Sequence, residues 1–128
     1  LRDKNLIGRR ESQQLDKYCK QINSFFPIEQ PSLLHGDFWS GNILPIDYDQ
    51  IALIDPSSYF GHREIDMAMS KLFGGFDQQF YHSYQEIYPL EETWQERLPY
   101  TQLYPLMLHA LLFEGYYLDE VQSILKKL

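Results

Sequence analysis

The chain has 128 residues, of which 44% are hydrophobic and 16% aromatic, so it is long and apolar enough to fold around one core. Eleven basic and 18 acidic residues leave a formal net charge of -7 and no basic stripe, which argues against a surface that binds nucleic acid or an anionic membrane. The longest apolar run, residues 104–113, is too short to cross a bilayer and predicts a buried helix.

The first predicted element is an amphipathic helix over residues 12–26. Its apolar residues recur at helical spacing, with Ser12 as a candidate N-cap and Pro27 as the stop. The only cysteine, Cys19, lies in this helix and is expected to be buried. A single cysteine excludes an internal disulfide, and no N-terminal apolar stretch follows basic residues, so the sequence predicts a reducing, cytoplasmic location.

Three runs have the composition of short strands: residues 32–34, 43–46 and 51–54. Residues 47–50, between the last two runs, have turn composition. The sequence therefore predicts a small hairpin, with Asn42 just before its first strand and Asp55 just after its second.

The remainder is predicted to be helical, in segments separated by glycine and proline: residues 64–73, 77–88, 92–98, 99–114 and 118–128. Pro99 can open its helix, whereas Pro105 should kink it. The aromatic residues near the C-terminus alternate with leucines at helical spacing and are expected to be mostly core. The predicted fold class is α+β, predominantly α-helical, with the small β-hairpin inserted in a helical body.

Residues 33–66 place Asp37, Asn42 and Asp55 at intervals typical of kinases. Phosphoryl transfer needs a carboxylate that orients and deprotonates the incoming hydroxyl. It also needs oxygen ligands that hold Mg²⁺ against the nucleotide phosphates. This segment offers one candidate base and two candidate metal ligands.

Three motifs carry a family resemblance: HGDFWSGN at residues 35–42, IDP at 54–56 and GHREIDMA at 61–68. Together they resemble the fructosamine kinase (ketosamine 3-kinase) family of the aminoglycoside-phosphotransferase-like and protein-kinase-like superfamily. HGD followed by Asn occurs in small-molecule kinases in general, whereas WSGN and GHRE single out the ketosamine branch. Family-like spacing continues through FGGF at residues 73–76, so the resemblance covers nearly the whole chain.

The resemblance implies a role for each residue of the central set. Asp37 is the catalytic carboxylate, and Asn42 and Asp55 bind the Mg²⁺ that bridges the phosphates of ATP. His35 and Asp66 support the catalytic loop, Asp66 by accepting hydrogen bonds from the loop backbone.

Three further side chains are candidates for binding the acceptor: Trp39, His62 and Glu64. Trp39 either stacks on or walls off the sugar, or supports the loop as a core residue, and the sequence does not decide between these. His62 and Glu64, together with Arg63, either line the acceptor pocket or tie the metal-binding loop to the next helix through ion pairs. The second reading is slightly favoured.

The activity implied by the resemblance is ATP-dependent phosphorylation of a sugar hydroxyl on a fructosamine or ribulosamine, in the repair of glycated amines. The acceptor is either a free metabolite or a protein-bound ketosamine. Two alternatives are a related small-molecule kinase with another hydroxyl acceptor and a non-catalytic kinase-lobe interaction domain. The intact set of Asp37, Asn42 and Asp55 argues against the non-catalytic alternative.

The glycine-rich loop and the lysine–glutamate pair of a kinase N-terminal lobe are not found in the sequence. Only Gly8 and Gly36 precede Asp37, and no lysine lies in a predicted strand. We therefore expect residues 1–128 to form the C-terminal lobe of a kinase-like fold. We also expect the isolated chain to be inactive, and to pair with the missing N-terminal lobe or to self-associate through the exposed face.

Overall fold

The computed structural model describes residue 1 and residues 3–127. The helices are α1 (Arg9–Phe25), α2 (Glu64–Met69), α3 (Gln78–Ile87), α4 (Leu98–Phe113) and α5 (Tyr116–Lys127), with 3₁₀ turns at Ser40–Asn42 and Trp94–Arg97. The strands are β1 (Ser32–Leu34), β2 (Ile43–Asp47), β3 (Gln50–Leu53) and β4 (Tyr59–Gly61). The predicted α+β class with predominant helix is confirmed. None of the described helices combines the length and the apolar character needed to span a membrane.

The chain divides into two compact units: unit 1 is Leu1–Pro27 with Glu96–Leu128, and unit 2 is Ile28–Gln95. In unit 1, α5 packs against both α4 and α1. The core of unit 1 contains buried residues from all three helices: Tyr18, Leu103, Leu106, Ala110, Val121 and Leu125. Burial of these apolar side chains is the main force that holds the three helices together.

Tyr18 is the buried residue of α1. Its ring lies 6.1 Å from that of Phe25 and 6.2 Å from that of Tyr100, and its hydroxyl donates to the carbonyl of Tyr100 at 2.7 Å. Burial, with a smaller contribution from Cys19, raises the pKa of Tyr18 to about 12. The hydrogen bond allows the hydroxyl to be buried without the cost of an unpaired polar group.

The four strands found among the described residues all lie in unit 2, arranged as two antiparallel pairs. β1 pairs with β4, with Leu34 opposite Tyr59. β2 pairs with β3 as the predicted hairpin, with Ile43 opposite Leu53, and the register shifts between Pro45 and Asp47. Proline cannot donate to a ladder, which suits a strand with an unpaired edge.

Two predicted boundaries move because backbone geometry decides them. α1 begins at Arg9, ahead of the predicted start, and Gly8 is the N-cap of the helix. The N–H of Ser12 donates to the carbonyl of Gly8 at 3.0 Å. Ser12 therefore lies in the first turn and is not the cap. α2 ends at Met69, short of the predicted end at Phe73, whose φ of 56° is incompatible with a right-handed helix.

Three more elements differ from the prediction. The segment predicted as a helix over 92–98 forms the shorter 3₁₀ turn Trp94–Arg97, and β4 was not predicted. α5 begins at Tyr116, ahead of the predicted residue 118, and the predicted end at Leu128 lies outside the described residues.

Three burial predictions were wrong. Among the C-terminal tyrosines and phenylalanines expected to be mostly core, none is buried, and Tyr104, Phe113 and Tyr116 are exposed. Cys19 is exposed, because it lies one residue beyond Tyr18 and so faces away from the core. The apolar run 104–113 does form a helix, but α4 is apolar on all sides and only one side is buried. The exposed side chains of this run include four large apolar residues: Tyr104, Leu108, Leu112 and Phe113.

Candidate active site

Residues 35–42, which join β1 to β2, form a loop that we name the HGD loop. The carboxylate of Asp66, in α2, accepts hydrogen bonds from two backbone amides of the HGD loop. The N–H of His35 donates to Oδ2 at 2.7 Å, and the N–H of Gly36 donates to Oδ1 at 2.9 Å. Charge-assisted bonds of this kind are short and strong, so they fix the start of the HGD loop to α2. This is the type of contact that the family resemblance implies for Asp66.

His35 connects the two loops that carry the candidate catalytic residues. Its Nε2 lies 3.0 Å from the carbonyl oxygen of Ile54, and its Nδ1 accepts from the N–H of Asp37 at 3.3 Å. A carbonyl oxygen only accepts and an amide N–H only donates, so the two bonds together require the proton on Nε2. His35 therefore joins the backbone of Asp37 to the residue that precedes Asp55.

Asp37 and Asn42 form a hydrogen-bonded pair within the HGD loop. The amide nitrogen of Asn42 lies 2.9 Å from both the backbone oxygen and Oδ2 of Asp37. Both partners are acceptors, so the NH₂ group of Asn42 must face them and its amide oxygen must face away. Oδ1 of Asp37 and the amide oxygen of Asn42 bind no other described residue. Each side chain thus keeps one oxygen available for a ligand.

Asp55 lies in the loop over residues 54–58, which we name the Asp55 loop. The N–H of Ile54 donates to the carbonyl of Asn42 at 3.0 Å, and the N–H of Ser57 donates to the carbonyl of His35 at 2.8 Å. The loop is therefore tied to the HGD loop on both sides of Asp55. Asp55 has a φ of 50°, which aspartate tolerates better than most residues, and its carboxylate is exposed.

Gly36 is required by the close approach of these two loops. A Cβ at this position would lie 2.0 Å from the carbonyl oxygen of Ser57, and the φ of Gly36 is 82°. Both the space and the left-handed backbone exclude a side chain. The structure thus brings together five of the predicted site residues: His35, Asp37, Asn42, Asp55 and Asp66.

Trp39 lies in the HGD loop and is half-buried. Its indole meets the ring of Phe73 edge to face, with centroids 5.5 Å apart and planes at 82°. The packing fits a supporting role, and the accessible part of the side chain fits contact with a sugar. Both readings of Trp39 thus keep a physical basis.

His62 and Arg63 pair with Glu29, which precedes β1. Nε2 of His62 lies 3.3 Å from Oε1 of Glu29, and Nε of Arg63 lies 3.0 Å from Oε2. Arg63 also donates to the carbonyls of Tyr88 and Pro89 at 2.7 and 2.8 Å. Its guanidinium lies 3.7 Å from the centre of the Tyr88 ring. These contacts are structural, as in the second reading, but their partners are Glu29 and residues 88–89 and not the metal-binding loop.

The charge of Arg63 is well supported despite its burial. Burial alone lowers the pKa of Arg63, but hydrogen bonds and charge interactions with Tyr84 and Glu29 outweigh it and raise the pKa. The planar guanidinium can satisfy several acceptors at once, which a lysine cannot do. Sequence patterns did not identify Glu29 or the carbonyls at 88 and 89 as partners of Arg63, because no local pattern links positions this far apart.

Glu64, a predicted acceptor-binding residue, is 1% exposed. Its backbone N–H lies 3.3 Å from Nδ1 of His62. A substrate could reach so deeply buried a carboxylate only after the surrounding structure moved. Glu64 is therefore better explained as a structural residue of α2 than as part of an open pocket.

The donor set suits magnesium in chemical type. Mg²⁺ prefers oxygen ligands, keeps several waters and is held by one or two carboxylates together with substrate phosphates. The amide oxygen of Asn42, whose side chain is largely buried, and the exposed carboxylate of Asp55 match that requirement. Among the described residues, no three His, Cys, Asp or Glu side chains converge as a preformed metal site would require. Any metal bound here would therefore take the rest of its ligands from phosphate and water.

Comparison with known proteins identifies the family of this chain. The family model for fructosamine kinase matches residues 2–128. The chain belongs to the fructosamine kinase family. The resemblance stated from the motifs is therefore confirmed, and so is the kinase-like α+β fold.

Relatives within the fructosamine kinase family have been assigned as ketoamine kinases. One from Lactiplantibacillus plantarum is 50% identical over 96 residues, which cover 75% of this chain and 34% of the relative. One from Staphylococcus aureus is 40% identical over 115 residues, which cover 88% of this chain and 40% of the relative. A crystal structure from Thermobifida fusca, assigned as a fructosamine-3-kinase, matches with a TM-score of 0.83 at 33% identity, and covers 97% of this chain and 45% of that chain. The chain thus spans less than half the length of these family members.

Proposed function

We propose that this chain supplies the catalytic base and the metal ligands of a kinase that transfers the γ-phosphoryl group of ATP to a ketosamine. The acceptor is a fructosamine or ribulosamine, free or attached to a protein lysine, which is phosphorylated at its 3-hydroxyl in the repair of glycated amines. The observation that carries this proposal is the Asp37–Asn42 pair, in which each side chain keeps one oxygen open. Family membership supports the acceptor class, since relatives are assigned as ketoamine kinases.

Asp37 acts as the base. The hydrogen bond from Asn42 to Oδ2 fixes the orientation of the carboxylate and leaves Oδ1 to accept the proton of the acceptor hydroxyl. Phosphoryl transfer passes through a loose transition state, so the enzyme contributes mainly orientation and charge neutralisation. A carboxylate fixed by its neighbours provides the first of these.

Asn42 and Asp55 would hold Mg²⁺ through the amide oxygen and the carboxylate. Mg²⁺ bound there would neutralise charge on the phosphate oxygens of ATP. The backbone bonds between the Asp55 loop and the HGD loop keep the two ligands in a constant relationship to the base. Trp39 forms a wall of the acceptor site.

The remaining contacts to ATP come from a second lobe, which carries the glycine-rich loop and the lysine. The chain spans only 34% of the L. plantarum relative, so that relative is long enough to contain a second lobe. Unit 2 also exposes apolar strand residues that a second lobe could cover: Leu33, Ile46, Ile51 and Phe60. The location is cytosolic, in keeping with the exposed free thiol of Cys19.

Substitution of Asp37 in the full-length protein tests the proposal. Asp37→Asn should lower phosphorylation of a synthetic fructosamine by about 10²–10⁴-fold, because it removes the proton acceptor. Its amide oxygen can still accept the bond from Asn42, so affinity for Mg-ATP should stay nearly unchanged. Asp49→Asn, at the exposed hairpin turn, is the matched control.

Phosphorylated product is measured by mass spectrometry, with choline, homoserine and an aminoglycoside offered as other acceptors. Wild-type turnover by Asp37→Asn would contradict the assignment of the base. Phosphorylation of another acceptor but not of fructosamine would contradict the acceptor class.

A further inference from the structure

Residues 73–76, which we name the aromatic turn, contact the two residues that follow the proposed base. Phe76 packs edge to face against Phe38, with ring centroids 5.0 Å apart. Phe73 packs in the same way against Trp39, at 5.5 Å. Two consecutive side chains of the HGD loop therefore each meet one end of the aromatic turn.

The aromatic turn adopts a left-handed backbone at three consecutive residues. The φ angles of Phe73, Gly74 and Gly75 are 56°, 98° and 75°. A Cβ at Gly74 would meet nothing within 4 Å, so the backbone conformation and not a lack of space requires glycine there. Phe73 is a bulky residue for which this conformation is strained, and such strain persists only where surrounding contacts impose it.

The side chain of Tyr81, in α3, anchors the aromatic turn on both sides of Phe73. Its hydroxyl accepts from the N–H of Phe76 at 3.3 Å and lies 3.1 Å from the carbonyl of Ser70, to which it donates. The ammonium group of Lys71 lies 3.6 Å from the centre of the Tyr81 ring. The turn therefore presents the ring of Phe73 from a fixed position.

Gly41 holds Trp39 from a second side. A Cβ at Gly41 would lie 2.3, 2.5 and 2.7 Å from three adjacent atoms of the six-membered ring, so that ring covers the glycine. The indole N–H is not buried and has no hydrogen-bond partner among the described residues. Trp39 thus combines a fixed ring with a free donor, which are the two features that suit a sugar with several hydroxyl groups.

From this geometry we propose that Phe73 is a positioning residue that sets the affinity for the acceptor by fixing the indole of Trp39. The inference rests on the proposed function, since it assigns Trp39 to the ketosamine side of the site. Phe73 affects binding of the acceptor through Trp39 and does not affect binding of ATP. The acceptor class is a polyhydroxylated sugar amine, whose hydroxyl groups meet the indole N–H and whose carbon face meets the ring.

Steady-state kinetics of the full-length protein tests the positioning role. Phe73→Leu should raise the KM for fructosamine roughly tenfold, a factor in keeping with the loss of one aromatic contact, while the KM for ATP and kcat change by less than about twofold. Phe73→Tyr keeps the ring and should restore the KM for fructosamine. Phe80→Leu is the control, because the ring of Phe80 contacts Phe38 and Phe76 but not Trp39.

Fluorine NMR of protein labelled with fluorotryptophan supplies a readout apart from activity. The chain has two tryptophans, Trp39 and Trp94, so Trp39→Phe assigns the two resonances from this chain. The Trp39 resonance should shift in Phe73→Leu and on addition of fructosamine to the wild type, and it should not shift in Phe80→Leu.

The outcomes separate the two proposals. A wild type that phosphorylates no ketosamine overturns the proposed function and the positioning role with it. An active wild type overturns the positioning role alone in either of two cases: Phe73→Leu leaves the KM for fructosamine and the Trp39 resonance unchanged, or it raises the KM values for fructosamine and ATP equally.

Discussion

At the scale of single residues, Asn42 serves two tasks with the two ends of one amide group. Its nitrogen donates to Asp37 and so orients the proposed base. The same orientation turns its oxygen away from Asp37, and this is the oxygen that we propose as a ligand of Mg²⁺. An aspartate at this position would offer no donor and would place a second negative charge beside Asp37.

Removal of either proposed metal ligand should weaken binding of Mg-ATP in the full-length protein. Asn42→Ala should lower the affinity by at least about tenfold, a loss that even outer-shell partners of a metal often cause. Asp55→Ala should be the more damaging, because on the proposed function it deletes a charged ligand of the metal. Titration calorimetry measures both, with Asp49→Ala as the control. Undiminished binding of Mg-ATP by both variants would show that neither residue holds the metal.

At the scale of elements, α1 shows how one buried residue ties a helix to its unit. Most of α1 is polar and exposed, and its buried residue, Tyr18, donates to the carbonyl of Tyr100, on whose ring Phe25 also stacks. Sequence periodicity predicted the buried face of α1, but the residue that provides the polar contact becomes known only from the structure. The raised pKa of Tyr18 gives this contact a measurable consequence.

The stability of the chain should fall between pH 10 and pH 12 because of Tyr18, whose pKa is raised from 10.0 to about 12. Below pH 10 the hydroxyl of Tyr18 is neutral in both the folded and the unfolded state. Between pH 10 and pH 12 this hydroxyl ionises in the unfolded chain but stays neutral in the folded chain. Tyr18→Phe should cost about 1 kcal/mol at pH 8 through the lost hydrogen bond. The variant should also lose less stability as the pH rises.

Urea denaturation followed by circular dichroism from pH 8 to about pH 12 measures this difference. Tyr48→Phe, at a fully exposed tyrosine of the hairpin turn, is the control and should keep the wild-type pH dependence. Equal slopes for Tyr18→Phe and the wild type would show that Tyr18 ionises as freely in the folded state as in the unfolded state.

At the scale of the whole molecule, the exposed apolar residues are the feature that remains to be explained. Most of those in unit 2 lie on the strands, and most of those in unit 1 lie along α4. Monomeric proteins rarely leave large apolar patches in contact with water. Family members more than twice as long as this chain have additional residues that could cover them.

The isolated 128 residues should therefore show no measurable kinase activity on fructosamine with Mg-ATP. Activity should appear when the part of the S. aureus relative that this chain does not match is supplied as a separate polypeptide. The same mixture with Asp37→Asn should be inactive, and light scattering should show self-association of the chain alone. Robust phosphorylation by the chain alone would show that no second lobe is needed.

The sequence by itself determined the hairpin and the family, and it singled out Asp37, Asn42 and Asp55 as candidate site residues. Each of these depends on local chemistry. β-branched runs around a polar turn predict a hairpin, and residues just before and after a hairpin must lie near its open end. The motifs identify the family because their residues are close together in sequence.

The tertiary structure alone decided which distant residues meet. The pairing of Arg63 with Glu29, the strand β4, the contact of Phe73 with Trp39 and the exposure of α4 have no local signal. Periodicity and turn composition act over a few residues, whereas these contacts join positions that are adjacent only after the chain has folded back on itself. Glu64 makes the same point in reverse, because it stands beside a predicted site in the sequence but is buried by packing that only the fold creates.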